Sequence, residues 1–303
     1  MQNNHKTGFF KIARKSPLVL AWVLIGLGLP THNTRAQSQP TAGQKTPADD
    51  LTPNTATSTD TQTEELAKKA QNPVADLISV PLQSNFNFNT GPSNATVDVF
   101  NLQPVIPFHI TKDWNLITRT ILPIVNQPSV APGYPSAFGL GDLNPTFFFS
   151  PSKPSKFIWG FGPTFTLPTG TDAILTSGKW SAGPAAVFLT VQGPVVAGVL
   201  INNQWSFAGW GDKNVNQMLM QPFFNYNLPE GWYLTTSPIM TSNWEADSND
   251  RWTVPIGGGF GRLFRIDKQP INASLQAFDN VLHPHGTSDW SLRFQVQLLF
   301  PTK

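Results

Sequence analysis

Asp289-Trp-Ser-Leu-Arg-Phe-Gln-Val-Gln-Leu-Leu-Phe300 is the stretch that decides the fold. Leu292, Phe294, Val296, Leu298 and Phe300 fall on one face of an extended chain, and Ser291, Arg293, Gln295 and Gln297 fall on the other. Successive side chains of a strand point to opposite faces, so one face meets something apolar and the other something wet. The same alternation returns along the rest of the chain, with aromatic residues at the strand ends. That is the pattern of an all-β, transmembrane, up-and-down antiparallel β-barrel, apolar outward and polar inward.

Working back from this strand, segments of similar character occupy roughly 82–89, 96–108, 114–125, 142–150, 157–167, 180–191, 195–206, 216–228, 232–243, 252–264 and 271–279. With 290–300 they make about twelve strands, most near the ~9–11 residues a tilted spanning strand needs. Short connections at 111–113, 151–155, 192–194, 228–231 and 267–270 alternate with longer ones at 126–141, 168–179, 207–215, 244–251 and 280–289. Bacterial barrels have short periplasmic turns, long extracellular loops and an even strand number. Trp114, Trp159 and Trp232 follow short turns, whereas Trp180, Trp205, Trp244, Trp252 and Trp290 border long loops. Two aromatic girdles at the two membrane interfaces account for both sets. Pro104, Pro163, Pro184, Pro222, Pro238 and Pro255 interrupt the predicted strands, and bulges or local bends are expected there.

The N-terminus supplies an address. Lys6, Lys11, Arg14 and Lys15 precede an apolar run between Pro17 and Pro30, and Thr34-Arg35-Ala36 offers small residues for cleavage. Residues 1–36 are therefore expected to be a secretory signal peptide; the competing reading, a membrane anchor, asks more length than the apolar run has. Residues 37–60 are polar and proline-rich, and are expected to be a disordered linker. Residues 61–81 should form a short helix over about 62–70, opened by the capping-box pattern Thr61-Gln-Thr-Glu64, and then a connector. That connector either lies at the periplasmic rim or enters and narrows the lumen. The barrel is assigned to 82–303.

Charge narrows the partners. The chain carries 20 Lys+Arg and 18 Asp+Glu. Removing the five basic residues of 1–36, which contains no acid, leaves 15 against 18, so the basic excess belongs to the leader. Nucleic acid is excluded as a partner on this arithmetic. Charged residues make up only 13% of the chain, as a lipid-facing belt demands. Cysteine is absent, which removes disulfides and thiol chemistry together. The expected partners are outer-membrane lipids and lipopolysaccharide, the outer-membrane assembly machinery and an unidentified small solute.

Gly139-Leu-Gly-Asp-Leu-Asn-Pro-Thr-Phe-Phe-Phe-Ser-Pro151, Trp159-Gly-Phe-Gly-Pro-Thr-Phe-Thr-Leu-Pro-Thr169, Gly178-Lys-Trp-Ser-Ala-Gly-Pro184 and Asn202-Asn-Gln-Trp-Ser206 add a resemblance. Over about 72–301 the chain resembles the bacterial outer-membrane transporters related to the meta-pathway of phenol degradation barrels, a group sometimes labelled "neuromedin U". The resemblance implies an outer-membrane barrel of a Gram-negative-type cell with a solute-transport role, apolar or aromatic solutes among the candidates. It carries over no substrate-binding residues. Such barrels commonly finish on an aromatic residue, whereas here Phe300 is followed by Pro301-Thr302-Lys303.

Alternation directs Asn101, Gln103, Asn115, Arg119, Asp142, Asn144, Thr164, Thr166, Asn202, Gln204, Gln217, Gln221, Asn225, Asn272, Ser274, Gln276, Arg293, Gln295 and Gln297 inward. Ten of these are candidates for lining the lumen and setting selectivity: Arg119, Arg293, Asp142, Asn144, Asn115, Gln295, Gln297, Asn202, Gln204 and Gln221. The alternative is a packed, hydrogen-bonded interior that only stiffens the wall. Asp142 either pairs with Arg119 or caps its own turn. Gly257-Gly-Gly259-Phe-Gly261 marks a bend or a close approach of the N-terminal segment. No enzyme and no cofactor is expected. His109 lacks a serine in a catalytic pattern, and His283-Pro-His285 has no acids at metal-ligand spacing.

Overall fold

In a computed structural model, residues 55–153 and 155–301 are described. A helix, α1 (Thr55–Ala70), precedes fifteen strand segments. These are β1 (Ile78–Thr90), β2 (Ala95–Leu102), β3 (Val105–His109), β4 (Trp114–Gln127), β5 (Ala137–Leu140), β6 (Asn144–Pro151), β7 (Phe157–Thr166) and β8 (Lys179–Gln192). They continue with β9 (Val195–Gly209), β10 (Asn216–Asn227), β11 (Trp232–Thr236), β12 (Met240–Asn243), β13 (Trp252–Ile266), β14 (Gln269–Leu282) and β15 (Trp290–Phe300). Three pairs are single spanning strands with a break: β2/β3, β5/β6 and β11/β12. The result is a closed barrel of twelve antiparallel strands.

Closure is made by β15 on β1, in unbroken register from Ile78↔Phe300 to Phe88↔Trp290. β15 thus seals the barrel, with its polar face inward: Arg293 and Gln297 are buried, while Phe294 and Phe300 are exposed. The exposed belt also includes Phe188, Phe224, Leu234 and Phe260. A closed sheet leaves no edge, and an apolar exterior with satisfied backbone is what the bilayer requires. The chain is therefore an outer-membrane-type barrel. The interfaces are aromatic at both ends. Trp114 meets Trp159 edge-on, and Trp232 holds the Arg262 guanidinium 5.0 Å from its ring. At the other end Trp244 meets Trp252, and Trp290 stacks on Phe88 at 4.0 Å.

Proline shapes the wall as its missing N–H requires. Two of the three strand breaks fall at Pro104 and Pro238, and Pro255 sits at a register shift against β14. Pro163 and Pro184 instead face one another in an otherwise regular β7–β8 ladder, and Pro222 lies opposite Val199 without a shift.

Two expectations need correction. The helix begins at Thr55 rather than 62, so 55–60 is helical and not linker. The first strand begins at Ile78 rather than 82, so part of the expected connector is barrel wall. Residues 1–54, which hold the expected signal peptide and most of the expected linker, lie outside the described residues.

Candidate functional site: the lumen and its plug

The helix end and the segment after it close one mouth of the barrel. Leu66 and Ala67 pack with Ala75 and Leu77 against Leu263 of β13 and Leu299 of β15, all buried. Val74 goes deeper, into a cluster with Ile117, Phe148, Ala185, Val187, Leu189, Val196 and Leu200. Burying a side chain of this size contributes about 1.5–3 kcal/mol, so Leu66, Val74 and Leu77 hold the plug firmly. Polar contacts fix its register. Gln71 and Asn227 exchange amide hydrogen bonds at 2.9 and 3.1 Å, and the Gln297 amide reaches the Ala70 carbonyl. Of the two placements open for the connector, it takes the one inside the lumen.

Gly160 makes room for it. A Cβ there would lie 3.2 Å from Val74, 3.3 Å from Phe148 and 3.4 Å from Val187. The Gly257–Gly261 run serves a different neighbour from the one expected. At Gly261 a Cβ would collide with the ring of Tyr233, its cross-strand partner on β11. The approach is made by that ring, not by the N-terminal segment. The enclosed Tyr233 hydroxyl donates to Asn272 at 2.7 Å, and Asn272 donates to Gln297.

The lumen wall has two unlike halves. On β1, β14 and β15 the inward residues are amides and hydroxyls: Gln83, Asn85, Asn272, Ser274, Gln276 and Gln297. On β6, β8 and β9 the buried inward residues include Phe148, Ala185, Val187, Leu189, Val196 and Leu200. Polar inward everywhere, as the sequence suggested, holds for only part of the wall. The apolar half meets the plug, and Ile117, Phe148, Val187 and Val196 have no exposed surface at all.

Between plug and wall remains a cavity of about 170 Å³. Arg119, Arg293, Gln221, Gln295 and Gln297 of the ten candidates line it. The arginines are held at the two proline breaks. Gln103, just before Pro104, accepts from Arg119 Nη2 at 2.8 Å. Ser237, just before Pro238, accepts from Arg293 Nη1 through its carbonyl at 2.8 Å and its hydroxyl at 3.2 Å. Asn85 accepts from Arg293 Nε at 3.0 Å, and the Phe278 ring lies 4.9 Å from the guanidinium. A strand interruption frees backbone and side-chain acceptors from the ladder, and here they are turned to the two cations.

The other five candidates lie elsewhere. Asp142 does not meet Arg119. Its oxygens accept from Gly170 N at 3.2 Å, Ser177 N at 2.8 Å and Ser177 Oγ at 2.9 Å, clamping the 168–178 loop. It caps a neighbouring loop rather than its own turn. Asn144 donates to Phe165 O and Thr166, and Thr166 donates to Gln204, a chain stitching β6, β7 and β9. Asn115 engages His109 Nδ1 at 2.9 Å, and Asp76 lies 3.5 Å from His109 Nε2. Asn202 flanks a hollow beside the Pro163–Pro184 pair. Sequence reasoning missed Gln83, Asn85, Ser237 and Tyr233. The signal available for Ser237 was its place before a proline in a strand.

At the outer rim His285 Nδ1 lies 2.6 Å from Asp250, whose oxygen also accepts from the His285 backbone N–H at 2.8 Å. That backbone hydrogen bond, with the side-chain one, lowers the Asp250 pKa below its ordinary value. His283 pairs with Asp289 instead, at 3.6 Å. The two histidines thus tie separate loop contacts. Among the described residues, no group of three or more His, Cys, Asp and Glu converges.

Solved structures share this architecture at low identity. An outer membrane channel from Pseudomonas putida F1 aligns with TM-score 0.55 and 16% identity, over 74% of this chain and 94% of that one. A NanC porin structure aligns at TM-score 0.48 and 8% identity, over 74% and 100%. The outer membrane phospholipase A of Escherichia coli aligns at TM-score 0.39 and 11% identity, over 75% and 96%. No family model matches the chain, and no curated protein matches it. At these identities the likeness bears on the fold alone, and the Pseudomonas putida channel agrees with an outer-membrane barrel.

Proposed function

We propose that this chain is an outer-membrane channel or transporter for passive or gated passage of small solutes. The observation that carries the reading is the plug. Residues 66–77 occupy one mouth of a closed barrel, yet a cavity lined by two arginines persists behind them. A solid structural barrel needs neither a separate inserted segment nor a charged void. The likeness to a channel from Pseudomonas putida F1 and the resemblance to phenol meta-pathway barrels support the same reading. Apolar or aromatic solutes suit the apolar half of the wall. A signal peptide at 1–36 would deliver the chain to the periplasm and to the assembly machinery. His109, held by Asn115 and Asp76, takes no catalytic part in this reading.

Planar-bilayer conductance and liposome swelling test it together. The full chain is expected to show small or intermittent conductance, and a chain lacking 55–77 a conductance severalfold larger with solute flux. Absence of both in both proteins would overturn the reading. It would favour a non-transporting envelope barrel with a structural or adhesive role, for which the densely filled Phe148–Val187 cluster is the supporting observation.

A further inference from the structure

The cavity behind the plug has a one-sided charge. Three of its lining residues are cationic, Lys69, Arg119 and Arg293, and none is Asp or Glu. No carboxylate lies within ion-pair distance of either arginine among the described residues. Arg293 is buried at 7% exposure. An enclosed guanidinium without a counter-charge is costly unless its donors are satisfied. The protein bonds part of each fork and leaves the remaining N–H groups open to the cavity. Arg293 has Asn85 and Ser237 on Nε and Nη1, with Nη2 left over. Arg119 has the single bond to Gln103. A guanidinium carries five N–H donors in a planar fork, so most of Arg119 and one edge of Arg293 remain without a protein acceptor among the described residues.

We propose that this cavity is a binding site for a small organic carboxylate with a short apolar body. The proposal deepens the channel reading and rests on it. A carboxylate is planar and takes the guanidinium fork in paired hydrogen bonds, which a spherical inorganic anion does not. Gln221 and Gln295 add amide groups on the same lining. The cavity also includes Val105, Leu200 and Phe223, which belong to or pack against the apolar cluster. Those residues offer nothing to the water of a hydrated ion, but they do offer contact to a ring or short chain. A volume of about 170 Å³ admits a small molecule. The charged half of the wall would hold the head group and the apolar half the body.

The test uses the full chain folded in detergent, with benzoate and benzyl alcohol as probes. The two share a ring and differ in the carboxylate. Calorimetric titration in low-chloride buffer should show benzoate binding at least tenfold tighter. Arg119→Gln should abolish that preference while leaving benzyl alcohol binding in place. Arg119→Lys keeps the charge without the fork, and should fall between them. It also serves as the reading if Arg119→Gln does not fold, judged by heat-modifiable gel mobility. Chloride should displace benzoate only at large excess. Equal affinity for the two probes, an unchanged preference in a folded Arg119 variant, or displacement by equimolar chloride would each overturn the proposal. Conductance of the same preparations separates the two readings. A conducting barrel without benzoate preference removes the site and leaves the channel. Benzoate preference in a barrel that passes nothing without 55–77 leaves the site and removes the channel.

Discussion

The two halves of the lumen wall are built from the same strand geometry and held by opposite physics. On β6, β8 and β9, Phe148, Val187 and Val196 are fully enclosed and packed on Val74 of the plug. Their contribution comes from apolar area removed from water and from close packing, so it depends on shape. On β1, β14 and β15 the interior is a set of amides and one arginine, most of them hydrogen-bonded to one another or to the plug. Its contribution comes from partners not being left alone, since an orphaned buried polar group costs more than a made bond returns. The difference explains where the void lies. Apolar side chains interdigitate and fill their half against the plug. Hydrogen-bonding groups keep fixed distances and directions, and leave space between them.

The contrast can be broken first on the apolar side. Phe148→Ala removes a ring with no exposed surface and leaves a hole that neighbours on two strands and the plug cannot all collapse into. Thermal unfolding in detergent should show a loss of about 3–5 kcal/mol. Conductance should rise as well, because the plug loses part of its seat. A stable, closed Phe148→Ala barrel would mean that the apolar half does not hold the plug.

The polar side should give a smaller and more local effect. Asn272→Ala removes the acceptor of the buried Tyr233 hydroxyl at 2.7 Å and the donor to the Gln297 amide oxygen. The expected loss is about 1–3 kcal/mol. Asn272→Leu should do no better, since it removes the same two hydrogen bonds. If Asn272→Leu stabilises the barrel, the network is not what holds this half.

Overpacking sharpens the line between the halves. Gly160→Ala adds one methyl between Val74, Phe148 and Val187, all closer than ordinary contact. The cost should be about 1–3 kcal/mol, and it should shrink when combined with Val74→Ala, leaving the part due to Phe148 and Val187. A double-mutant cycle of the two reads the coupling directly.

The smallest effect lies on the outer loops, where charge rather than packing does the holding. Asp250 has its pKa lowered in the folded protein by the His285 backbone N–H and side chain. A depressed carboxyl stabilises the loop contact above its ordinary pKa of about 3.9, and the contribution is lost as pH falls through the lowered value. Hydrogen exchange in 280–289 should therefore stay flat from neutral pH to about pH 4 after correction for intrinsic rates, and quicken below it. Asp250→Asn should remove the part of that change centred on His285, leaving any that comes from the His283–Asp289 contact. The barrel interior should not respond.

Much of this was legible in the residues. Strand count, the alternation of loop lengths and the two tryptophan girdles follow from local pattern, because period-two alternation and turn chemistry are properties of adjacent residues. Contrast decided where the reading worked. Arg293-Phe294-Gln295 has a polar and an apolar member in alternation, so its inward face is unambiguous. Ala185-Ala186-Val187-Phe188-Leu189 is apolar on both faces, so alternation cannot say which side is lumen. Nothing adjacent in sequence announces that Val74 fills that lumen, since its partners Phe148 and Val187 lie 74 and 113 positions away.

By itself, then, the sequence determined a barrel, its strand number, its exposed belt and the presence of inward arginines, since each depends only on which residues neighbour one another along the chain. The tertiary structure decided the rest. Closing the sheet brings β15 beside β1, and the proline breaks turn Gln103 and Ser237 toward Arg119 and Arg293. The same closure carries Asp142 away to a loop, and draws the N-terminal segment into the lumen, where Val74 meets the apolar half and Leu66 and Leu77 meet Leu263 and Leu299. Each of these joins residues distant in the chain, and only their meeting in space sets whether a buried group finds a partner.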